Sequence, residues 1–273
     1  MTPMTKTTKP VRRASQAGLS LLELLIAMAI MGVLMLAFTQ LFGGSLRASS
    51  SISARNELLS EGQIAQQLVV SKLKQAYFIY PTGTNIRMTS TVGTSNTIRG
   101  GQNWTVGADP IVAMILPPRG SDDPNKTTCP RGGVPERAQD STDMCFTFYA
   151  YYPIKRSTYI EWADPDAAPV ADPANDDAWL LMEYRRNLND PTLTDRSNNR
   201  LASPPNPNTA NITGRIPRIL VDYVQPPENG DPPLFNLNAN GSIEFNLQMG
   251  RNQGGKMLEL PPLGVRAYPR NAP

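Results

Sequence analysis

The chain has 273 residues, with 26 Lys and Arg against 23 Asp and Glu, and no histidine. Without histidine, Ser-His and Cys-His nucleophile systems and His-ligated metal centres are excluded, and two cysteines, Cys129 and Cys145, do not make a zinc site. Four of the 26 basic residues (Lys6, Lys9, Arg12 and Arg13) lie in the first 18, leaving 22 against 23 acidic ones, so the formal charge of +3 is no argument for nucleic-acid binding.

The first element follows that basic flank. In QAGLSLLELLIAMAIMGVLMLAFTQLF, residues 16–42, everything after Gly18 is apolar or small except Ser20, Glu23, Thr39 and Gln40. As a helix, Leu19 to Phe42 would extend roughly 36 Å, enough to span a ~30 Å hydrocarbon core with some tilt. Ala, Leu and Met favour the helix, and no proline occurs between Val11 and Tyr80. The basic residues on its N-terminal side keep that end in the cytoplasm. Three readings compete for the segment. A secretory signal has a shorter apolar region and a small-residue cleavage site after it. A plain membrane anchor fits the length but leaves the charge of Glu23 unexplained.

The third reading accounts for the charge. Gly18, the apolar run and Glu23 hold the spacing of a type IV prepilin signal, which the stretch AGLSLLELLIAMAI resembles. The resemblance implies a leader of residues 1–18, cut after Gly18 by a prepilin peptidase on the cytoplasmic side. It implies N-methylation of the new first residue, Leu19, and an assembly role for Glu23, the fifth residue after the cut. Leu19 departs from the family's commonest first residue, Phe. The implied partners are other pilins or pseudopilins, the prepilin peptidase and inner-membrane lipid, with no cofactor.

The helix is expected to continue. From Gly44 to Phe78, apolar residues at Leu58, Ala65, Leu68, Val69, Leu73 and Ala76 recur at three- and four-residue steps, marking one face of an amphipathic helix. Gly43-Gly44 and Ser49–Ser51 are its expected weak points. A helix from Leu19 to about Tyr77 would be ~90 Å long. The parts are therefore 19–44 as membrane or filament-core helix, 45–79 as its amphipathic continuation, and 80–273 as a β-rich globular domain.

From Pro81 onward lie 24 of the 26 prolines, and helical periodicity gives way to short strand patterns. IVAMIL (111–116), CFTFYAYY (145–152), STYIEW (157–162), WLLMEYRR (179–186) and RILVDYV (218–224) read as strands. Phe235 and Leu237 face Ile243, Phe245 and Leu247 across an Asn240-Gly241 hairpin turn. Proline-rich loops occupy 117–135, 163–178 and 187–213. An apolar helix face that needs covering and alternating strands that need backing predict an α+β fold, a long N-terminal helix packed on an antiparallel sheet. Outside the membrane, an oxidising compartment favours a Cys129–Cys145 bridge, worth roughly 3 kcal/mol for a loop of about 15 residues. Two buried thiols are the alternative.

Chemistry elsewhere is thin. Glu161, Asp164, Asp166, Asp172, Asp176 and Asp177 could supply oxygens to calcium, but the Asp-x-Asp-x-Asp-Gly loop spacing is missing and three prolines interrupt the run. A solvated loop is the simpler reading. Phe146, Phe148, Tyr149, Tyr151 and Tyr152 must face both sides of a strand, as core or as a base-stacking surface. With Arg185, Arg186, Arg196, Arg200, Arg215 and Arg218, that surface keeps DNA as a candidate partner. More narrowly, SEGQIAQQLVVSKLKQAYFIYP and the closing Arg270-Asn271 are similar to the larger minor pilins of the PilW group and the J-type pseudopilins. The resemblance implies a minor pilin, with a type II secretion or DNA-uptake pseudopilin as the alternative. A signal-anchored envelope enzyme, the competing class, requires a pocket with convergent carboxylates.

Overall fold

The computed structural model describes residues 20–88, 90, 92–117, 146–188, 194–195, 200–201 and 217–269. Gly18, Leu19, Cys129 and Cys145 lie outside the described residues. The chain divides between Ile52 and Ser53 into two units.

Helix α1 (Leu21–Gln75) starts in the first unit and continues unbroken into the second. Its most apolar 18 residues have a mean hydropathy of 2.6, and none of that window is buried. The helix passes without a break through Gly43-Gly44 and Ser49–Ser51, the expected weak points. Glycine costs a helix only about 1 kcal/mol relative to alanine and keeps its N–H, and no proline is there to remove one.

The second unit begins at Ser53. Within it α1 buries Ala54, Leu58, Gly62, Ala65, Val69 and Leu73, and the line ends on Ala76 just past the helix. These steps of three and four residues trace one side of a 3.6-residue helix. Leu68, expected on that face, is instead 44% exposed. Residues 68 and 69 are about 100° apart around the axis, and the ladder centres on Val69.

After the helix come β1 (Phe78–Ile79), β2 (Asn85–Arg87), β3 (Asn103–Thr105), β4 (Val112–Leu116) and β5 (Phe146–Lys155). Helix α2 (Arg156–Trp162) and a 3-10 turn (Pro173–Asn175) precede β6 (Trp179–Leu188). The short β7 (Thr194–Asp195) and β8 (Arg200–Leu201) pair with each other. Then follow β9 (Arg218–Val224), β10 (Phe235–Leu237), β11 (Ile243–Leu247), β12 (Gly250–Gln253), β13 (Lys256–Glu259) and β14 (Leu263–Ala267). The central sheet has the order β1-β4-β5-β6-β9 and is antiparallel throughout. A second sheet has the order β10-β11-β14, with the expected hairpin registering Phe235 on Phe245 and Leu237 on Ile243. The fold is thus α+β, with the long helix on antiparallel sheets.

The central sheet is covered on both faces. Val112, Met114, Tyr149, Tyr151, Leu181 and Val221 point to the side that holds α1 and the second sheet. Ala113, Ile115, Phe148, Tyr152, Met182 and Tyr184 point the other way, toward Ile86, Trp104 and Tyr159. Two-sided burial explains why IVAMIL and CFTFYAYY read as continuous apolar runs rather than alternating ones.

One expected strand is a helix: STYIEW forms most of α2. Its buried residues are Arg156 and Tyr159, three apart. Over seven residues, strand and helix periods cannot be told apart in a sequence, and the β-favouring Thr, Tyr, Ile and Trp tip the reading toward strand. The tertiary setting decides otherwise. The Arg156 N–H donates to the Ala178 carbonyl at 2.9 Å, so the chain must leave β5 and return to β6 within a closed connection.

Candidate functional site

At the start of α1, Ser20 and Glu23 bind each other. The Ser20 backbone N–H donates to Glu23 Oε2 at 2.9 Å and the Ser20 hydroxyl does so at 3.2 Å. In return the Glu23 N–H donates to Ser20 Oγ at 3.3 Å. The Ser20 carbonyl accepts the first helical bond, from Leu24 N–H at 3.2 Å. This is a capping box, Ser at the N-cap and Glu three residues on, each satisfying an N–H that the helix itself leaves free. The signal for it, S-x-x-E at 20–23, is carried by the sequence itself. The acid also sits at the positive end of the helix dipole.

The surroundings of that carboxylate are apolar and open. Leu21, Leu22, Leu25, Met28 and Met31 are each more than 60% exposed. Among the described residues, the bonds to the carboxylate all end on Oε2. A carboxylate has about four lone-pair sites, so Glu23 keeps acceptor capacity for a cation while it caps its own helix.

The acidic run 161–177 is used internally. Asp172 accepts from the Tyr223 hydroxyl at 3.0 Å, from Asn175 Nδ2 at 3.0 Å and from Arg251 Nη2 at 3.3 Å. Burial alone would raise the Asp172 carboxyl, but the Tyr223 and Asn175 hydrogen bonds and the Arg251 and Arg156 charges outweigh it, holding the group below its ordinary value. Asp177 pairs with Lys155 at 2.7 Å, and Asp164 closes a turn onto the Asp166 N–H at 3.1 Å. The fully buried Arg156 donates through Nε to both oxygens of Asp222, at 3.2 and 3.1 Å, and through Nη2 to the Val170 carbonyl. Its charge is thus matched, which burial requires. Among the described residues, no three Asp, Glu, His or Cys side chains come together as an ion site.

The five aromatics of β5 are core. Phe146, Phe148, Tyr149, Tyr151 and Tyr152 are at most 5% exposed, so none of these rings offers a face to a nucleic-acid base. Burial raises the Tyr151 phenol far above its ordinary value, with the Glu183 charge and hydrogen bond adding to it. The Tyr152 hydroxyl donates to the Gly93 carbonyl at 2.8 Å. A cleft of about 290 Å³ opens beside that loop, against α2, and among the described residues no carboxylate lines it.

No curated protein and no solved structure matches this chain. Residues 13–39, which include Gly18, Leu19 and Glu23, match the family model described as the prokaryotic N-terminal methylation motif. Together with a helix long and apolar enough to cross a membrane, that match supports a type IV pilin or pseudopilin family, a substrate of prepilin peptidase anchored in the inner membrane.

Proposed function

We propose that this chain is a minor pilin, a structural subunit rather than an enzyme. It is cut after Gly18, methylated on Leu19 and held in the inner membrane by the first half of α1. It is then drawn into a filament by packing that helix against those of neighbouring subunits. One observation carries the reading: an uncovered apolar helix bears a single carboxylate, Glu23, in its first turn. In the membrane, lipid covers such a surface, and in a filament other copies of the same kind of helix do. A head-to-tail contact of this sort does not close on itself, so it builds an open filament in the periplasm and beyond.

Two measurements test the processing and the staple. Intact-mass analysis of membrane-extracted protein is expected to show a chain beginning at Leu19 and carrying one added methyl. A start near Gly43 would identify an ordinary signal peptide and end the pilin reading. Cys129 and Cys145 are expected to be bridged, so that alkylation labels two thiols only after reduction. Labelling of both without reductant, in protein isolated from the envelope, would remove the bridge.

A further inference from the structure

We propose that the cleft between α2 and the loop of residues 92–102 binds a neutral carbohydrate. Its volume of about 290 Å³ lies near the lower end of small-molecule sites, ~300 Å³. That is room for one sugar ring and the start of a linkage.

The lining has two kinds of group. Tyr159 and Trp162 stand three residues apart on α2 and so share a side of it. Tyr159 is buried, whereas Trp162, at the rim, is 65% exposed. Across and beside them lie the hydroxyl-bearing Ser90, Ser95 and Thr158 and the carboxamide of Gln102. Among the described residues, no charged side chain lines the cleft. An ionic ligand would lose its hydration there without a counter-charge, and a wholly apolar one would bury the hydroxyls unpaired. A neutral polyol avoids both costs. Its C–H face lies on the indole while its hydroxyls exchange hydrogen bonds with the serines, the threonine and the amide.

The cleft is also held in shape before any ligand arrives. The Trp104 indole N–H donates to the Thr94 carbonyl at 3.1 Å, and Tyr152 holds the Gly93 carbonyl. The Asn96 side-chain oxygen accepts from the Ile98 and Arg99 N–H groups at 2.9 and 3.1 Å, while its Nδ2 donates to the buried Asp109 carboxylate at 3.1 Å. Gly93 has φ +82°, and a Cβ there would stand 3.2 Å from the Tyr159 ring and 2.7 Å from Pro217, so the loop approaches α2 as closely as only glycine allows. A wall fixed in this way loses little entropy on binding. All of these residues lie in the second unit, so the inference does not rest on the filament reading.

The test uses the full-length protein in lauryldimethylamine oxide, because a maltoside detergent would itself compete. Neutral methyl glycosides of glucose, galactose, mannose and N-acetylglucosamine are titrated, with saturation-transfer NMR and acrylamide quenching of tryptophan as readouts. At least one is expected to bind with Kd on the order of millimolar and to shield Trp162 from quencher. Trp162→Ala, at an exposed position, is expected to fold normally and to bind at least about tenfold more weakly. Trp162→Phe should recover part of the loss, and Tyr268→Ala, across the central sheet, should change nothing. Absence of saturable binding by every glycoside up to about 100 mM would overturn the proposal. So would equal binding by Trp162→Ala, tighter binding of glucose 6-phosphate, or occupation by free indole in preference to the sugars.

Discussion

Glu23→Ala is expected to insert in the membrane and to be cut after Gly18, yet to be recruited into filaments at least about tenfold less than the wild type. On the proposed function, cleavage before Leu19 would create an amine four residues from Glu23, at the boundary of the apolar helix. In a neighbouring subunit that amine would find the carboxylate of Glu23 on an otherwise apolar surface. Inside a helix bundle the attraction is much stronger than in water, and removing one partner strands the other charge at about 3–5 kcal/mol. The capping box complicates the alanine result, because Glu23 also satisfies the Ser20 N–H. Loss of a cap costs about 0.5–2 kcal/mol by itself. Glu23→Gln separates the two roles, since the amide oxygen still accepts the capping bond but carries no charge. Gln is expected to fail nearly as badly as Ala. Glu23→Asp, with the charge at shorter reach, should fall between Ala and wild type, and Ser20→Ala should assemble with a modest loss. Co-purification with the other pilins and counts of surface pili measure all four. Normal assembly by Glu23→Ala would show that the carboxylate is not the docking group. Rescue by Gln would show that the cap, not the charge, is what assembly needs.

Gly62→Val is expected to destabilise the globular unit by about 2–3 kcal/mol, against about 1 kcal/mol or less for Gly62→Ala. Gly62 is the smallest residue in the buried line of α1, where the side chains of Met249, Leu263 and Leu247 lie against the helix. A Cβ there would lie 2.5 Å from Met249 Sδ and 2.9 Å from Leu263 Cδ1. Both are atoms of adaptable side chains, so a single methyl can be accommodated by small rotations. Alanine also regains about 1 kcal/mol of helix propensity, which offsets much of that strain. Valine adds two more methyl groups at the same point, with a χ1 already restricted by the helix, and the sheet must move. For a unit of this size the loss corresponds to a melting-temperature drop of roughly 4–12 °C. It is read by the fluorescence of Trp104, Trp162 and Trp179, which all lie in that unit. A valine variant that melts with the wild type would mean that the helix and the second sheet are farther apart than these distances place them.

The N-terminal element was legible because one-dimensional signals suffice for it. Length, apolarity, basic flank and the spacing of Gly18 and Glu23 are properties of consecutive residues, and a helix satisfies its own backbone without distant partners. The capping box is equally local, S-x-x-E at 20–23, because both of its partners lie within one turn. Strand positions at 112–116, 146–155, 179–188 and 218–224 were legible from β-branched and aromatic runs, and the 235–247 hairpin from its turn residues and alternation. What consecutive residues do not carry is which partner covers each face. The choice of Val69 over Leu68, the need for glycine at 62, and the conversion of STYIEW from strand to helix each depend on atoms dozens of residues away. The same holds for the acidic run. As a sequence it is a string of carboxylates that could gather around an ion. Folded, Asp172 is engaged by Tyr223 and Arg251 and Asp177 by Lys155, because the return from β5 to β6 lays the run against β9 and β12. Local periodicity determines which residues are apolar and when the chain turns. Only the tertiary structure decides which charges meet, since ion pairs and close contacts are set by distance in space, and distance in space is what folding creates.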